Sequence, residues 1–423
     1  MKKFSSSTRI LLSLVLGLAL GIALASAGPS WLATAIAIAE PIGNLWLDAL
    51  KMTIVPLVFA LLVTGVASTA STTAAGGLAR RALILFLVVL AGSAIFGEVS
   101  VASFLAAWPI PGAAAEAMRA GVAAGGTVVP AAAPIADWLA AIVPANPVKA
   151  AADGAMLPLV VFALIFGFAI TRLARESARV LVDFFQALVE AMLVIVGWVI
   201  WIAPIGVFAL AFVVGARAGV SAAGALAHYL ALLVLIQVLL IVLIYPATVL
   251  CARIPLLRFA RAVAPAQAVA TSTQSSLASL PAMVDATQHL EIAPRVSALV
   301  LPMAVSVFRI TSPAANLAVV LYSASLFGID LSLGQYVAGA AIAVVMSFAS
   351  VGLPGQVSFF TSIVPICVVM GVPVGVLPLL LAVETIPDIF RTIGNVTADV
   401  AATAVLARGV GEESGERLAE VPQ

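Results

Sequence analysis

Four polar residues near the C-terminal end of a very apolar chain have types and spacing that could bind a charged ligand. Asp388, Arg391, Asn395 and Asp399 follow one another at intervals of three or four residues, which places them along one face of a helix. A charge at the centre of a bilayer costs about 2.5–3.5 kcal/mol on insertion scales, so it is tolerated where it faces a cavity, a partner or a ligand. This face therefore predicts a binding site at membrane depth.

The composition indicates what kind of protein must position these residues. Of the 423 residues, 63% are hydrophobic and 9% are charged, and the net charge is +1. A soluble fold cannot bury so much apolar surface, and the apolar runs are continuous rather than alternating as in barrel strands. We therefore predict an all-α polytopic membrane protein, and the charge gives no argument for nucleic acid as a partner. Cys251 and Cys367 form no motif and are expected to pack as small apolar residues.

The apolar runs predict eight transmembrane helices and two re-entrant helical hairpins. The spans lie at about residues 10–28, 45–69, 82–106, 137–172, 183–215, 226–252, 292–327 and 375–407. The hairpins lie at about 262–290, interrupted by Ser275 and Ser276, and at 334–371, interrupted by Gly352 to Gly355. Two interrupted segments in corresponding positions of inverted repeats are the sequence sign of a transporter binding site.

Arginine and lysine residues predict the orientation of the spans. They cluster before span one and after spans two, four, six and eight, which is one side of the membrane and should be the cytoplasmic side. Both termini would then be cytoplasmic, and the Ala-, Gly- and Pro-rich segment 107–136 would be an external loop. The tail from about residue 409, which is rich in glutamate, is expected to be disordered.

Several stretches resemble the dicarboxylate/amino acid:cation symporter family, which includes the excitatory amino acid transporters. The resemblance covers most of the chain, and the helix carrying Asp388 and Arg391 is its most specific part. The matching stretches are residues 52–59, 142–147, 157–158, 203–209, the serine-rich 274–281, the Gly-Pro segment 350–355, and 387–399.

The resemblance implies a homotrimer in the bacterial cytoplasmic membrane that works by an elevator mechanism. Residues 1–70 (spans one and two) and 111–220 (spans four and five) would form a scaffold. Residues 71–110 (span three) and 221–408 would form a mobile transport domain, followed by a cytoplasmic tail at 409–423. The family implies no organic cofactor and no enzymatic activity. An intramembrane enzyme would need a nucleophile beside a base, and both histidines are expected to lie away from the serine-rich tip.

The resemblance also implies roles for the site residues. Asp388 matches the carboxylate that takes the substrate ammonium group, Arg391 matches the reader of its side-chain carboxylate, and Thr392 and Asn395 match residues that orient it. The hairpin tips would hold the α-carboxylate through Ser275, Ser276, Ser350, Gly352, Leu353 and Gly355, although Ser275 is equally suited to be a helix cap. L-Aspartate or L-glutamate fits this set, because a plain dicarboxylate leaves Asp388 unpaired and a neutral amino acid leaves Arg391 unpaired.

Two other interpretations of these charges remain open. Asp388 and Arg391 are spaced i, i+3 and could simply neutralise each other. Glu384, one turn before Asp388, could be a proton site or a peripheral polar residue.

The sequence departs from the family where sodium should bind. The family's Asn-Met-Asp-Gly-Thr motif in span seven is replaced by residues 309–313, so Arg309 stands for the asparagine and Thr311 for the aspartate, while residues 86–92 of span three carry no hydroxyl. Asn395 and Asp399, which complete a sodium site elsewhere, are retained.

Because arginine offers only donors and a fixed positive charge, we hypothesise that Arg309 is a tethered cation that pairs with Asp399. Sodium coupling would then be lost or reduced, and transport would be uniport-like or coupled to protons through Glu384 or Asp399. The alternatives are that Arg309 snorkels away and sodium still binds, giving an ordinary sodium- or proton-coupled symporter of amino acids or dicarboxylates, or that the protein conducts anions as a channel.

Overall fold

The computed structural model describes residues 6–73, 77–122, 143–153, 156–349 and 355–419, and every regular element within them is a helix. The helices are α1 (Ser6–Ala27), α2 (Leu32–Thr73), α3 (Gly77–Ala107), α4 (Gly112–Val122), α5 (Pro147–Ala152), α6 (Met156–Ile170), α7 (Arg175–Ala218), α8 (Val220–Ala252), α9 (Leu256–Thr273), α10 (Leu280–His289), α11 (Pro294–Val307), α12 (Thr311–Phe327), α13 (Leu333–Ala349), α14 (Gly355–Met370), α15 (Leu377–Val383) and α16 (Thr385–Ala419). The predicted all-α class is confirmed.

Five helical segments of the described chain are long and apolar enough to cross a membrane. They are Arg9–Ala27, Gly77–Ala107, Arg175–Arg217, Ala223–Ala252 and Pro294–Phe327. Shorter apolar helices lie at Val55–Ala67, Pro158–Ile170, Leu333–Phe348 and Ser358–Met370. The count of eight spans therefore stays a prediction.

Two predicted spans are interrupted, which the hydropathy pattern did not indicate. Span seven breaks at residues 308–310 between α11 and α12, and span eight breaks at Glu384 between α15 and α16. Each break is followed by a proline in the first turn of the next helix, Pro313 in α12 or Pro387 in α16. Proline has no N–H to donate to the carbonyl four residues back, and its ring crowds that carbonyl. The break at 308–310 places Arg309 outside regular helix.

Two further predictions about local structure were wrong. The segment 107–136, expected to be a loop, contains helix α4, while residues 123–142 lie outside the described part. The tail, expected to be disordered from residue 409, continues α16 to Ala419.

The order of elements in the second half of the chain repeats. Helices α9 and α10 pack against each other around a turn at 274–279, and the interrupted pair α11 and α12 follows. Helices α13 and α14 also pack together, and the interrupted pair α15 and α16 follows. This is the element order that two repeats would give, while re-entry into the membrane and inverted orientation remain predictions.

Close helix packing joins α1 and α2 to α7. A Cβ atom added to Gly206 would lie 2.3 Å from the ring of Trp46, and one added to Gly17 would lie 2.5 Å from the carbonyl oxygen of Phe208. The indole Nε1 of Trp46 donates to the backbone carbonyl of Val199 at 3.0 Å. Small residues allow such approach between membrane helices. Helices α3, α8, α12 and α16 form the other main packing group, and it carries the candidate site.

Candidate functional site

Helix α16 carries the predicted polar face into the interior of the protein. Arg391 and Asn395 are 6% and 5% exposed, and Asp399 is fully buried, whereas Asp388 is half-buried. Thr392 is buried too, and its hydroxyl donates to the carbonyl of Asp388 at 2.8 Å within the helix. Of the four residues on the polar face, only Asp388 therefore remains partly accessible.

The first turn of α12 docks on α16 through Thr311. Its backbone N–H and its hydroxyl both donate to Oδ1 of Asn395, at 3.1 and 2.9 Å, and the hydroxyl lies 3.0 Å from the carbonyl of Arg391. Gly394 permits this approach, because an added Cβ would lie 2.4 Å from Cγ2 of Thr311. The side chain of Asn395 is therefore committed to the start of α12.

Arg391 pairs with Glu384 rather than with Asp388. Its Nη2 lies 2.7 Å from Oε1 of Glu384, and both side chains are buried. Its Nη1 also lies 3.5 Å from Oδ1 of Asn316 on α12. Seven residues span about 10.5 Å along a regular helix, so the break at Glu384 and two long side chains are needed for this contact. The alternative in which Asp388 and Arg391 only neutralise each other does not match this pairing.

The carboxylate of Asp388 makes no hydrogen bond or ion pair with the residues that the structure describes. It lies in the field of two guanidinium groups, those of Arg391 and Arg309. A half-buried carboxylate beside cations but in contact with none of them is suited to receive a positively charged group from a ligand.

The predicted contact between Arg309 and Asp399 is not formed. Both carboxylate oxygens of Asp399 are buried and have no hydrogen-bond partner among the described residues. Arg309 interacts electrostatically with both carboxylates, but with Asp388 more strongly than with Asp399. Arg309, in the break, therefore interacts with two acids and forms no ion pair with Asp399. Within the described chain, no group of three or more His, Cys, Asp or Glu side chains is arranged to hold a metal ion.

Two polar residues near these charges were missed by the sequence reasoning. Ser93 of α3 is buried and donates its hydroxyl to the carbonyl of Ile310 in the break. It directly follows the apolar stretch 86–92, so the first serine of that span was the available signal. Asn316 is 1% exposed and reaches Arg391, but nothing in its sequence spacing indicated that contact.

At the first hairpin tip, Ser275 forms hydrogen bonds within the turn 274–279 and caps neither α9 nor α10. Its hydroxyl oxygen accepts from the backbone N–H of Ala278 at 3.2 Å, and its carbonyl accepts from the hydroxyl of Ser279 at 3.0 Å. Ser276 is half-buried beside it. At the second tip, Ser350, Gly352 and Leu353 lie outside the described residues, and Gly355 is the first residue of α14.

Comparison with known proteins decides the family. Residues 7–409 match the model of the Sodium:dicarboxylate symporter family. The chain belongs to this family. The expected resemblance is therefore confirmed, and the protein is a transporter-family member rather than an enzyme.

Three relatives illustrate the substrates and coupling ions named for members of the symporter family. A C4-dicarboxylate transport protein of Deinococcus radiodurans is 29% identical over 90% of this chain and 85% of its own. A proton/glutamate-aspartate symporter of Escherichia coli is 29% identical over 96% of this chain and 93% of its own. A proton/sodium-glutamate symport protein of Bacillus caldotenax is 26% identical over the full length of both. The names cover two substrate classes and two coupling ions.

Proposed function

We propose that this symporter-family protein carries acidic amino acids, L-aspartate or L-glutamate, across the membrane. The observation that carries the proposal is the pair of opposite charges one helical turn apart, in which Asp388 has no described partner. The substrate's ammonium group would pair with Asp388, and its side-chain carboxylate would pair with Arg391. The substrate α-carboxylate would go to the hairpin tips, at Ser275, Ser276 and the segment 350–355.

A C4-dicarboxylate is the second candidate substrate. Arg309 lies in the field of Asp388, and if it neutralises that carboxylate then the ligand needs no amine. L-Aspartate and succinate differ only in the amino group, so comparing their binding separates the two candidate substrate classes.

The Glu384–Arg391 pair supports proton coupling. A substrate carboxylate must compete with Glu384 for the guanidinium of Arg391, which lies 2.7 Å away. Protonation of Glu384 removes the competing charge and frees Arg391, so acid would favour substrate binding, and the proton would enter with the substrate. Asp399, buried without a partner among the described residues, is the second proton candidate.

Arg309 supports weakened sodium coupling. Its fixed charge lies near Asp399 and beside the Thr311–Asn395 contact, where family members are expected to place sodium ligands. A sodium ion there would be repelled by the guanidinium, and Asn395 Oδ1 already accepts two hydrogen bonds from Thr311.

We further propose a homotrimer in the bacterial inner membrane, in which the group containing α3, α8, α12 and α16 moves as an elevator.

Transport in liposomes tests these proposals. Uptake of labelled L-aspartate is measured with sodium outside, with choline in its place, and with or without an inward proton gradient, and competition by succinate is measured alongside. We expect uptake in choline that rises with the proton gradient. Uptake that collapses without sodium would show that a sodium site survives, and uptake of succinate alone would move the assignment to dicarboxylates.

The substitution Arg309→Asn tests the tethered cation. It should create or strengthen sodium dependence, because it removes the competing charge and supplies an amide oxygen. The matched control is Arg295→Asn, at an exposed arginine in the first turn of α11. If both variants keep the ion dependence of the wild-type protein, Arg309 has no role in coupling.

A further inference from the structure

Two polar side chains on the buried face of α8 have no hydrogen-bond partner among the described residues. Tyr229 and Gln237 are both 0% exposed, and the hydroxyl of Tyr229 and both amide atoms of Gln237 are unpaired. Buried polar groups are nearly always paired in folded proteins, because leaving one unpaired loses its hydration without replacement. We call these residues the α8 polar pair.

Tyr229 lies within electrostatic range of the Glu384–Arg391 ion pair. Its ring packs edge-on against Tyr322 of α12 at 5.2 Å between centroids. Its hydroxyl interacts electrostatically with Glu384 and with Arg391. The hydroxyl of Tyr322, by contrast, is satisfied, because it donates to the carbonyl of Ala225 at 2.8 Å.

Gln237 is one turn before Ile241 on α8, which we infer places it near the level of Arg391 on α16. Ile241, one turn further along α8, faces Gly394 and is among the atoms that an added Cβ there would meet, together with Thr311. Tyr229 lies about two turns before Gln237 on α8 and interacts electrostatically with Glu384. Gln237 falls between these two points along the axis of α8.

We propose that the α8 polar pair receives the two members of the Glu384–Arg391 ion pair when substrate binding separates them. The inference rests on the proposed function, in which Arg391 turns to a substrate carboxylate. Glu384 would then be a buried charge without a cation, and the hydroxyl of Tyr229 donates to it. The amide oxygen of Gln237 accepts from the guanidinium of Arg391 and holds it towards the substrate. Both are positioning residues whose hydrogen bonds form only in the loaded state.

Among the described residues, the charged and titratable groups that interact with Glu384 are Arg391, Asp388 and Tyr229. A protonated Glu384 is neutral and needs no donor from Tyr229 after Arg391 has left. The contribution of Tyr229 to substrate affinity should therefore be largest at neutral pH. It should shrink in acid, because a proton then neutralises Glu384.

The substitution Tyr229→Phe tests the proposal with purified protein in detergent. Two quantities are measured between pH 5 and 8: the melting temperature without ligand, and the affinity for L-aspartate, or for succinate if the wild-type protein binds that instead. We expect an unchanged or higher melting temperature of the empty protein, because a buried unpaired hydroxyl is removed. We expect an affinity about tenfold weaker at neutral pH, the effect of one lost hydrogen bond, with the deficit closing in acid.

Tyr322→Phe is the matched control, since its hydroxyl is already bonded in the empty state. It should lower the melting temperature and leave the affinity unchanged. Gln237→Leu, which replaces the amide by an apolar group of similar size, should weaken the affinity without lowering the empty-state melting temperature.

Wild-type affinity in both Tyr229→Phe and Gln237→Leu would overturn the proposal, as would a lower empty-state melting temperature with a deficit that is the same at every pH. Failure of the wild-type protein to bind either ligand would instead overturn the proposed function.

Discussion

Arg391 has two carboxylates near it on its own stretch of chain, and it contacts only one of them. The contact with Glu384 at 2.7 Å is buried, while Asp388 makes no ion pair with the described residues. Replacing one member of a buried ion pair is costly, because the other charge stays behind without a partner. The different surroundings of Glu384 and Asp388 therefore predict different mutant behaviour.

Asp388→Asn should abolish the preference for an amine-bearing substrate. L-Aspartate affinity should fall about 100-fold, since an ammonium group loses its charged partner in a partly dry site, while succinate affinity should hold or improve. Binding of both ligands to the purified variant measures this. Asp183→Asn, which alters an exposed i, i+4 pair with Arg179, is the control. An equal loss for both ligands would show that Asp388 is structural.

Glu384→Gln should raise substrate affinity at neutral pH and flatten its pH dependence. The competing carboxylate is removed, so Arg391 is free without a proton, and the gain should be about tenfold. The empty protein should lose about 3 kcal/mol of stability, because the buried guanidinium loses its partner. Uptake measured from pH 5 to 8 checks this. Glu40→Gln, which breaks the ion pair with Arg217 between α2 and α7, should leave the pH profile intact. An unaltered profile in Glu384→Gln would exclude Glu384 as the proton site.

At the scale of helices, the contact between α12 and α16 depends on Gly394. An alanine there would place its Cβ 2.4 Å from Cγ2 of Thr311. Gly394→Ala should therefore separate the helices, lengthen the Thr311–Asn395 hydrogen bonds and cost about 1–3 kcal/mol.

Thermal unfolding and uptake of Gly394→Ala measure this effect. The matched control is Gly92→Ala on α3, where an added Cβ meets nothing within 4 Å. The control should be neutral or stabilising by about 0.5–1 kcal/mol, because glycine is unfavourable inside a helix. Wild-type stability of Gly394→Ala would mean that the helices can shift freely at this point.

For the whole molecule, we predict that the outward face of α7 forms the subunit contact of the proposed trimer. Trp198, Trp201 and Ile205 are 67%, 71% and 64% exposed and lie at i, i+3 and i+7, while α7 packs on α1 and α2 elsewhere. In mild detergent we expect a mass three times that of the 43.0 kDa chain.

Native mass spectrometry of the double variant Trp198→Ala with Trp201→Ala should show dissociation to smaller species, because the aromatic contact area is lost. Val242→Ala on α8, at an equally exposed position, should leave the mass unchanged. A monomeric wild-type protein would contradict the trimer.

The sequence alone determined the membrane class, the helix that carries Asp388, Arg391, Asn395 and Asp399, and the family. These follow from hydropathy, helical spacing and local motifs, which depend on neighbours along the chain. Pro313 and Pro387 are local signals that accompany the breaks at 308–310 and at Glu384, but they did not determine them, because Pro204, Pro246 and other prolines lie inside unbroken helices.

Only the tertiary structure decided which charges meet. The pairing of Arg391 with Glu384, the contact of Thr311 with Asn395, and the division of Arg309 between two acids depend on how α12, α16 and the broken segments lie against one another. Electrostatic and hydrogen-bond contacts change steeply with ångström distances. The spacing of residues along one helix fixes a shared face, but the partner of each side chain is set by helices that are distant in the sequence.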